Sequence, residues 1–175
     1  MIRKAGDIIP EVVDVLIKLR VHKHNKNANT DSSGKFKIPN KCPSCATQLI
    51  KTQTKIDLLC PNIDTCPAQI IGRLSYFSSR NLANIVGLSE KIIERFIDEY
   101  KVSDIPDLYN LPWDQIKELE GFGSKSVENL QKAIDNSKKI SDVKFLASLG
   151  IDGIGPEVAK LIIKKIQQKS NDKQN

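Results

Sequence analysis

Four cysteines lie within one stretch of 25 residues, at positions 42, 45, 60 and 66, and the sequence holds no others. A C-x2-C pair lets two sulfurs face one ion from a tight turn, and a second pair, here Cys60-x5-Cys66, completes a tetrahedron with Zn–S distances of about 2.3 Å. Pro43 and Pro61 each follow a cysteine and restrict the turn. Short strands from Thr47–Thr54 and Lys55–Leu59 are predicted to bring the two pairs together. So small a unit has no hydrophobic core, and a metal would substitute for one. A disulfide or redox site is the competing reading, disfavoured because thiols stay reduced in the cytosol where this chain is expected to work. Four thiolates leave no open coordination position, so one structural zinc is expected rather than a catalytic one. His22 and His24, two residues apart in the polar stretch 22–37, are expected to be solvated rather than ligands.

A second set of residues recurs. IVGLSEKIIERF (85–96), LEGFGSKSVENL (119–130) and IDGIGPEVAKLI (151–162) align on Gly87, Gly121 and Gly153, spaced 34 and 32 residues apart. Each copy has an apolar residue two before its glycine, another just after it, and a helical run beyond. In the second copy Ile116 and Leu119 are expected to end one helix, while Val127, Leu130 and Ile134 line the next. Glycines permit positive φ in such a connector, and the central apolar side chain plugs the gap between helices. Backbone N–H groups at Gly121, Gly123, Gly153 and Gly155 could then approach a phosphate at the start of a helix, where the dipole favours an anion. Lys91 and Lys125, in equivalent places, add charge. Contacts of this kind read the nucleic-acid backbone, so binding is expected to be salt-sensitive and largely independent of sequence. The alternative is a plain helical hairpin whose glycines serve only the turn. The spacing resembles tetratricopeptide or ankyrin periods, but their signatures are absent. Neither Gly121-x-Gly123 nor Gly153-x-Gly155 is a dinucleotide fingerprint, because the sixth positions are Ser126 and Val158 and no βαβ pattern surrounds them.

The remaining elements follow from pattern and composition. The chain has 175 residues, 39% apolar, with a formal charge of +6 and a pI near 9.1. A basic balance favours a polyanionic partner. One zinc held by four thiolates lowers the charge only to +4. No apolar run approaches the roughly 20 residues that span a bilayer, and no signal peptide core is present, so no membrane partner is expected and the cytoplasm is. Residues 1–20 read as extended, with Ile8, Ile9, Val12, Val13, Val15, Leu16 and Ile17 interrupted by Pro10, and cannot bury that surface alone. QIIGRLSYFSSR (69–80) reads as helix through Ile70, Ile71, Leu74 and Phe77. It places Arg73 and Arg80 on one face, either solvated or lying on phosphate. The expected fold class is mainly α with small β parts.

The order of these segments resembles the middle-to-late part of bacterial NAD-dependent DNA ligases. RKAGDIIPE (3–11) is similar to the end of that family's OB domain. Cys42, Cys45, Cys60 and Cys66 match its zinc ligands in spacing, and CPAQ (66–69) and GFGSKS (121–126) match as well. The resemblance implies an OB-fold remnant at 1–21, a linker at 22–40, a four-cysteine zinc finger at 41–68, a helix-hairpin-helix DNA-binding array at 69–168 and a disordered tail at 169–175. It implies a monomer that grips duplex or nicked DNA through Arg80, Gly87, Lys91, Gly121, Gly123, Lys125, Gly153 and Gly155. Ser89 stands where the first hairpin would have its second glycine, which weakens that copy as a phosphate contact. The family's nucleotidyltransferase lysine lies in a K-x-D-G motif; the one K-x-D here, Lys55-Ile56-Asp57, is followed by Leu58 and is expected to be a strand surface. No catalytic residue is therefore assigned. NAD and Mg2+ would serve a catalytic part that this sequence does not include, and a fourth hairpin and a BRCT domain are expected in the family after the third hairpin. The alternative is a stand-alone zinc-containing helix-hairpin-helix module without ligase activity, or a protein-interaction scaffold whose DNA affinity would be absent or indifferent to salt.

Overall fold

The computed structural model describes residues 2–5, 9–14, 38–52 and 57–171. His22, His24, Val15–Ile17, Lys55 and Ile56 lie outside the described residues. The chain divides into two compact units, residues 1–40 and 41–175.

In the first unit β1 (Ile2–Ala5) and β2 (Ile9–Val12) pair antiparallel, with Ile2 opposite Val12 and Ala5 opposite Ile9. Pro10 lies opposite Lys4. A two-stranded ribbon has only edge strands, so a residue without an N–H is tolerated there.

The second unit opens with β3 (Ile50–Lys51) and β4 (Leu58–Leu59), an antiparallel pair extended by an isolated bridge between Lys41 and Gln48. The strands are shorter than the sequence pattern suggests. Their side chains are exposed, so no face is buried to prolong the pairing. Helices follow: α1 (Pro67–Ser78), α2 (Glu90–Tyr100), a 3₁₀ turn at Ile105–Tyr109, α3 (Trp113–Lys117), α4 (Ser124–Ser137), α5 (Asp142–Ser148) and α6 (Pro156–Asn171). The described chain is mainly helical with small β parts, as the sequence predicts. None of the described helices is long and apolar enough to cross a membrane.

Proline at the first helical position starts α1, and Ile70, Leu74 and Phe77 at helical spacing give it one buried face. That face packs with Ile93 and Phe96 of α2, Leu108, Ile116 of α3, and Val127, Leu130 and Ile134 of α4 in one core. A smaller core joins Leu82 to Ala147 of α5 and Ala159 of α6. Helix α2 ends with Lys101 in the left-handed region, its N–H bonded to the Ile97 carbonyl, while the buried Val102 donates to Phe96. This is a Schellman end with a lysine where glycine is usual.

Two boundaries differ from expectation. Helix α3 stops at Lys117, so Leu119 belongs to the following turn. Helix α6 continues to Asn171, past the expected limit at 168, because Lys164, Lys165, Gln167 and Gln168 are good helix formers with no proline or glycine after them to break the run.

Candidate metal centre and nucleic-acid interface

The cysteines converge. The Sγ atoms of Cys42 and Cys66 are 3.9 Å apart, those of Cys45 and Cys60 3.5 Å, and all four lie within 4.8 Å of one another. Tetrahedral arms of about 2.3 Å require sulfur separations of about 3.8 Å, whereas a disulfide requires about 2.05 Å. The four thiols are free. Their donor set and spacing fit a tetrahedral metal of the zinc type.

Each knuckle is built by local hydrogen bonds. Cys42 N–H donates to the Thr47 carbonyl, and Ala46, in the left-handed region, donates to the Cys42 carbonyl, both at 2.8 Å. In the second loop the Asn62 carboxamide oxygen accepts from the backbone and hydroxyl of Thr65. Cys66 is the N-cap of α1. Ser44 Oγ of the first knuckle accepts from Ala68 N–H in the first turn of α1, and Gln69 Nε2 donates to the Cys60 carbonyl. The module is thus docked on the helical core rather than set apart from it. Thr47 Oγ1, 3.2 Å from Cys45 Sγ, holds that thiol down to about 6, whereas burial pushes Cys60 up to about 12. Among the described residues around the sulfurs, Leu49 alone contributes apolar packing, so the ligands are themselves the core.

Arg73 and Arg80 do not share a helical face. Helix α1 ends at Ser78, and Arg80 lies in the turn beyond, near Asn84, Ile85 and Val86. Arg73 is engaged by the protein: it donates to the carbonyls of Ile63 and Ser103 at 3.1 and 2.8 Å and pairs with Asp104 at 3.3 Å. Sequence periodicity missed this role because its partners lie in loops 10 and 30 residues away.

The three glycine-centred connectors fold alike. Leu88, Phe122 and Ile154 donate to Ile85, Leu119 and Ile151 at 3.3, 3.0 and 2.9 Å. The third residue of each turn, Gly87, Gly121 or Gly153, has φ of 95°, 84° or 75°. Positive φ at that position alone defines a type II turn. The apolar residue after it faces inward: Leu88 is buried in the main core, Phe122 stacks on Phe96 with ring centroids 5.9 Å apart, and Ile154 packs on the smaller core.

The second glycines do not have positive φ, contrary to the expectation that the turn draws on both. Gly123, the N-cap of α4, has φ −72° and ψ 146°, close to the −82° and 162° of Ser89, the N-cap of α2. A Cβ built at Gly123 or Gly155 would meet nothing within 4 Å. Neither α2 nor α4 has a side-chain cap bond, so their first N–H groups are left to external partners. Lys91 and Lys125 lie exposed in these first turns.

The third copy differs. Pro156 removes one of the N–H groups at the start of α6, and Glu157 stands where Lys91 and Lys125 stand in the others. Its residues Gly150 to Gly155 line a groove of about 840 Å³ against Gln69, Gly72, Arg73 and Tyr76 of α1.

Known proteins resemble both the cysteine module and the longer chain. Residues 41–68 match the family described as the NAD-dependent DNA ligase C4 zinc finger domain. The chain is 40% identical over 164 residues to a DNA ligase of Lactobacillus gasseri, 41% over 162 residues to one of Lysinibacillus sphaericus, and 39% over 166 residues to one of Persephonella marina. These alignments cover 93–95% of the chain but only 22–23% of the relatives. Over nearly all of its length the chain resembles one segment of bacterial DNA ligases, and its cysteine module matches the NAD-dependent DNA ligase C4 zinc finger family.

Proposed function

We propose that this chain grips duplex DNA around a nick for an NAD-dependent DNA ligase, through backbone contacts independent of sequence. Cys42, Cys45, Cys60 and Cys66 hold one structural zinc, and the helical connectors act as helix-hairpin-helix motifs. The observation that carries the reading is the pair Gly123 and Gly155. Neither has positive φ and a Cβ on either would meet nothing within 4 Å, so neither turn geometry nor packing demands glycine, and serine would cap α4 as well as Gly123 does, whereas close approach of an external phosphate favours glycine at both. Gly87, Gly121 and Gly153 set the turns; Arg80, Lys91 and Lys125 supply charge. The second hairpin is the strongest contact, since its first turn holds Ser124, Lys125 and Ser126 and no acid. The first has Ser89 and Glu90, and the third Pro156 and Glu157.

On this reading β1 and β2 are the last strands of an OB barrel, the working unit is a cytoplasmic monomer, and adenylation by NAD with Mg2+ belongs to the remainder of the enzyme. The residues here orient DNA and perform no covalent step. Gly123→Val tests the assignment. It is expected to lower the melting temperature by only a few degrees, the cost of valine at an N-cap where φ is ordinary and the space is open, yet to weaken binding of a labelled nicked duplex roughly tenfold by blocking one phosphate approach. Equal affinity for the variant contradicts it.

A further inference from the structure

Resting on that reading, we infer that Arg95 is a positioning residue that locks the second hairpin in the conformation able to receive phosphate. Arg95 belongs to α2, the second helix of the first hairpin. Its Nη1 donates to the Glu120 carbonyl at 2.5 Å, its guanidinium lies over the Phe122 ring at 5.3 Å from the centroid, and the same Nη1 is 3.9 Å from the position a Cβ would take on Gly121. Phe122 stacks in turn on Phe96, the neighbour of Arg95 in α2.

The bonded carbonyl is the informative one. In the turn Leu119–Phe122 the central peptide joins Glu120 to Gly121. Types I and II differ mainly by a flip of that peptide. Carbonyl and N–H point in opposite directions across a planar trans peptide. Holding the Glu120 oxygen toward α2 therefore turns the Gly121 N–H away from α2 and keeps φ of Gly121 at +84°. Without the guanidinium, the flipped turn would withdraw that donor and shift the start of α4.

The clamp is specific to this hairpin. Counting from the first glycine of each copy, the place of Arg95 is taken by Asn129 in the second and Leu161 in the third, and Leu161 is exposed. The first hairpin thus contributes to binding by ordering the second through α2, in addition to the charge of Lys91.

The test compares the full chain with Arg95→Met and Arg95→Lys. Methionine covers Phe122 but neither donates nor carries charge; lysine keeps the charge and one donor without the planar fork. Binding of a fluorescein-labelled nicked duplex is measured across a series of KCl concentrations, and the Gly121 amide resonance is followed in the free proteins. Expected are a roughly tenfold loss of affinity for Arg95→Met, a smaller loss for Arg95→Lys, an unchanged slope of log K against log salt, and a displaced Gly121 amide in both. A slope shallower by about 0.9 in Arg95→Met makes Arg95 a direct phosphate ligand and overturns the inference, as does unchanged affinity. Should Arg95→Met fail to fold, Arg95→Lys decides: wild-type affinity with an undisplaced amide overturns it. Absence of binding by the wild type refutes the DNA reading itself and is recognisable without any variant.

Discussion

Two side chains show how single residues join segments distant in the sequence. Arg73 ties the Cys60–Cys66 loop and the Ser103–Asp104 segment to α1 with two hydrogen bonds and an ion pair. One turn further, the Asp107 carboxylate accepts from the N–H and hydroxyl of Ser103 and from Asp104 N–H, at 2.8, 3.1 and 3.0 Å. The Ser103 backbone bond, first among these, holds the Asp107 carboxyl below the usual carboxylate range, with burial opposing it. A lowered folded-state pKa contributes stability that is present above the unfolded value near 3.9 and lost as pH falls through the folded one. Replacing Asp107 with asparagine is expected to cost about 1 kcal/mol at pH 7, a figure reduced for partial solvent screening. Urea titrations of the two proteins should show that difference shrinking as pH falls below the unfolded value near 3.9, whereas a constant gap at every pH would show that the charge is not what stabilises the turn.

Among elements, helix ends carry the instructive detail. Lys101 closes α2 at φ 56°, a conformation that costs a residue with a Cβ about 1 kcal/mol relative to glycine. Lys101→Gly should therefore raise the unfolding midpoint, and a lowered one would mean that the bond from its Nζ to the Asp98 carbonyl matters more than the backbone. The glycine pattern was legible from sequence because type II turns demand positive φ, and Gly87, Gly121 and Gly153 have it. Equally legible were the buried stripes of α1 and α4, since Ile70, Leu74, Phe77, Val127, Leu130 and Ile134 keep helical spacing. What stayed hidden depends on contacts between segments. Arg73 and Arg95 look like surface charge until the carbonyls they hold are known, and Arg80 looks helical until α1 is seen to stop at Ser78. The role of the second glycines was hidden too, because only the φ of Gly123 shows that the turn does not need it.

At the scale of the unit formed by residues 41–175, stability comes from two sources that can be separated. The helical part rests on a contiguous set of buried residues from α1 to α4 and the segments between them. The cysteine module has almost no apolar packing besides the four cysteines themselves, so its order is expected to depend on a bound metal. Chelation at neutral pH is expected to leave most of the helical circular dichroism while making residues 41–66 sensitive to protease; loss of the whole helical signal would show that the two parts fold as one. On the proposed reading, the cations at the hairpins, Arg80, Lys91 and Lys125, would set the electrostatic share of DNA binding. The most direct measurement is the affinity of the zinc-loaded chain for nicked duplexes of unrelated sequence as KCl is raised. Three phosphate contacts predict equal affinities for all sequences and a log K that falls against log salt with a slope of about −2.7. An affinity that ignores salt, or no binding even at low salt, would contradict a backbone-gripping role.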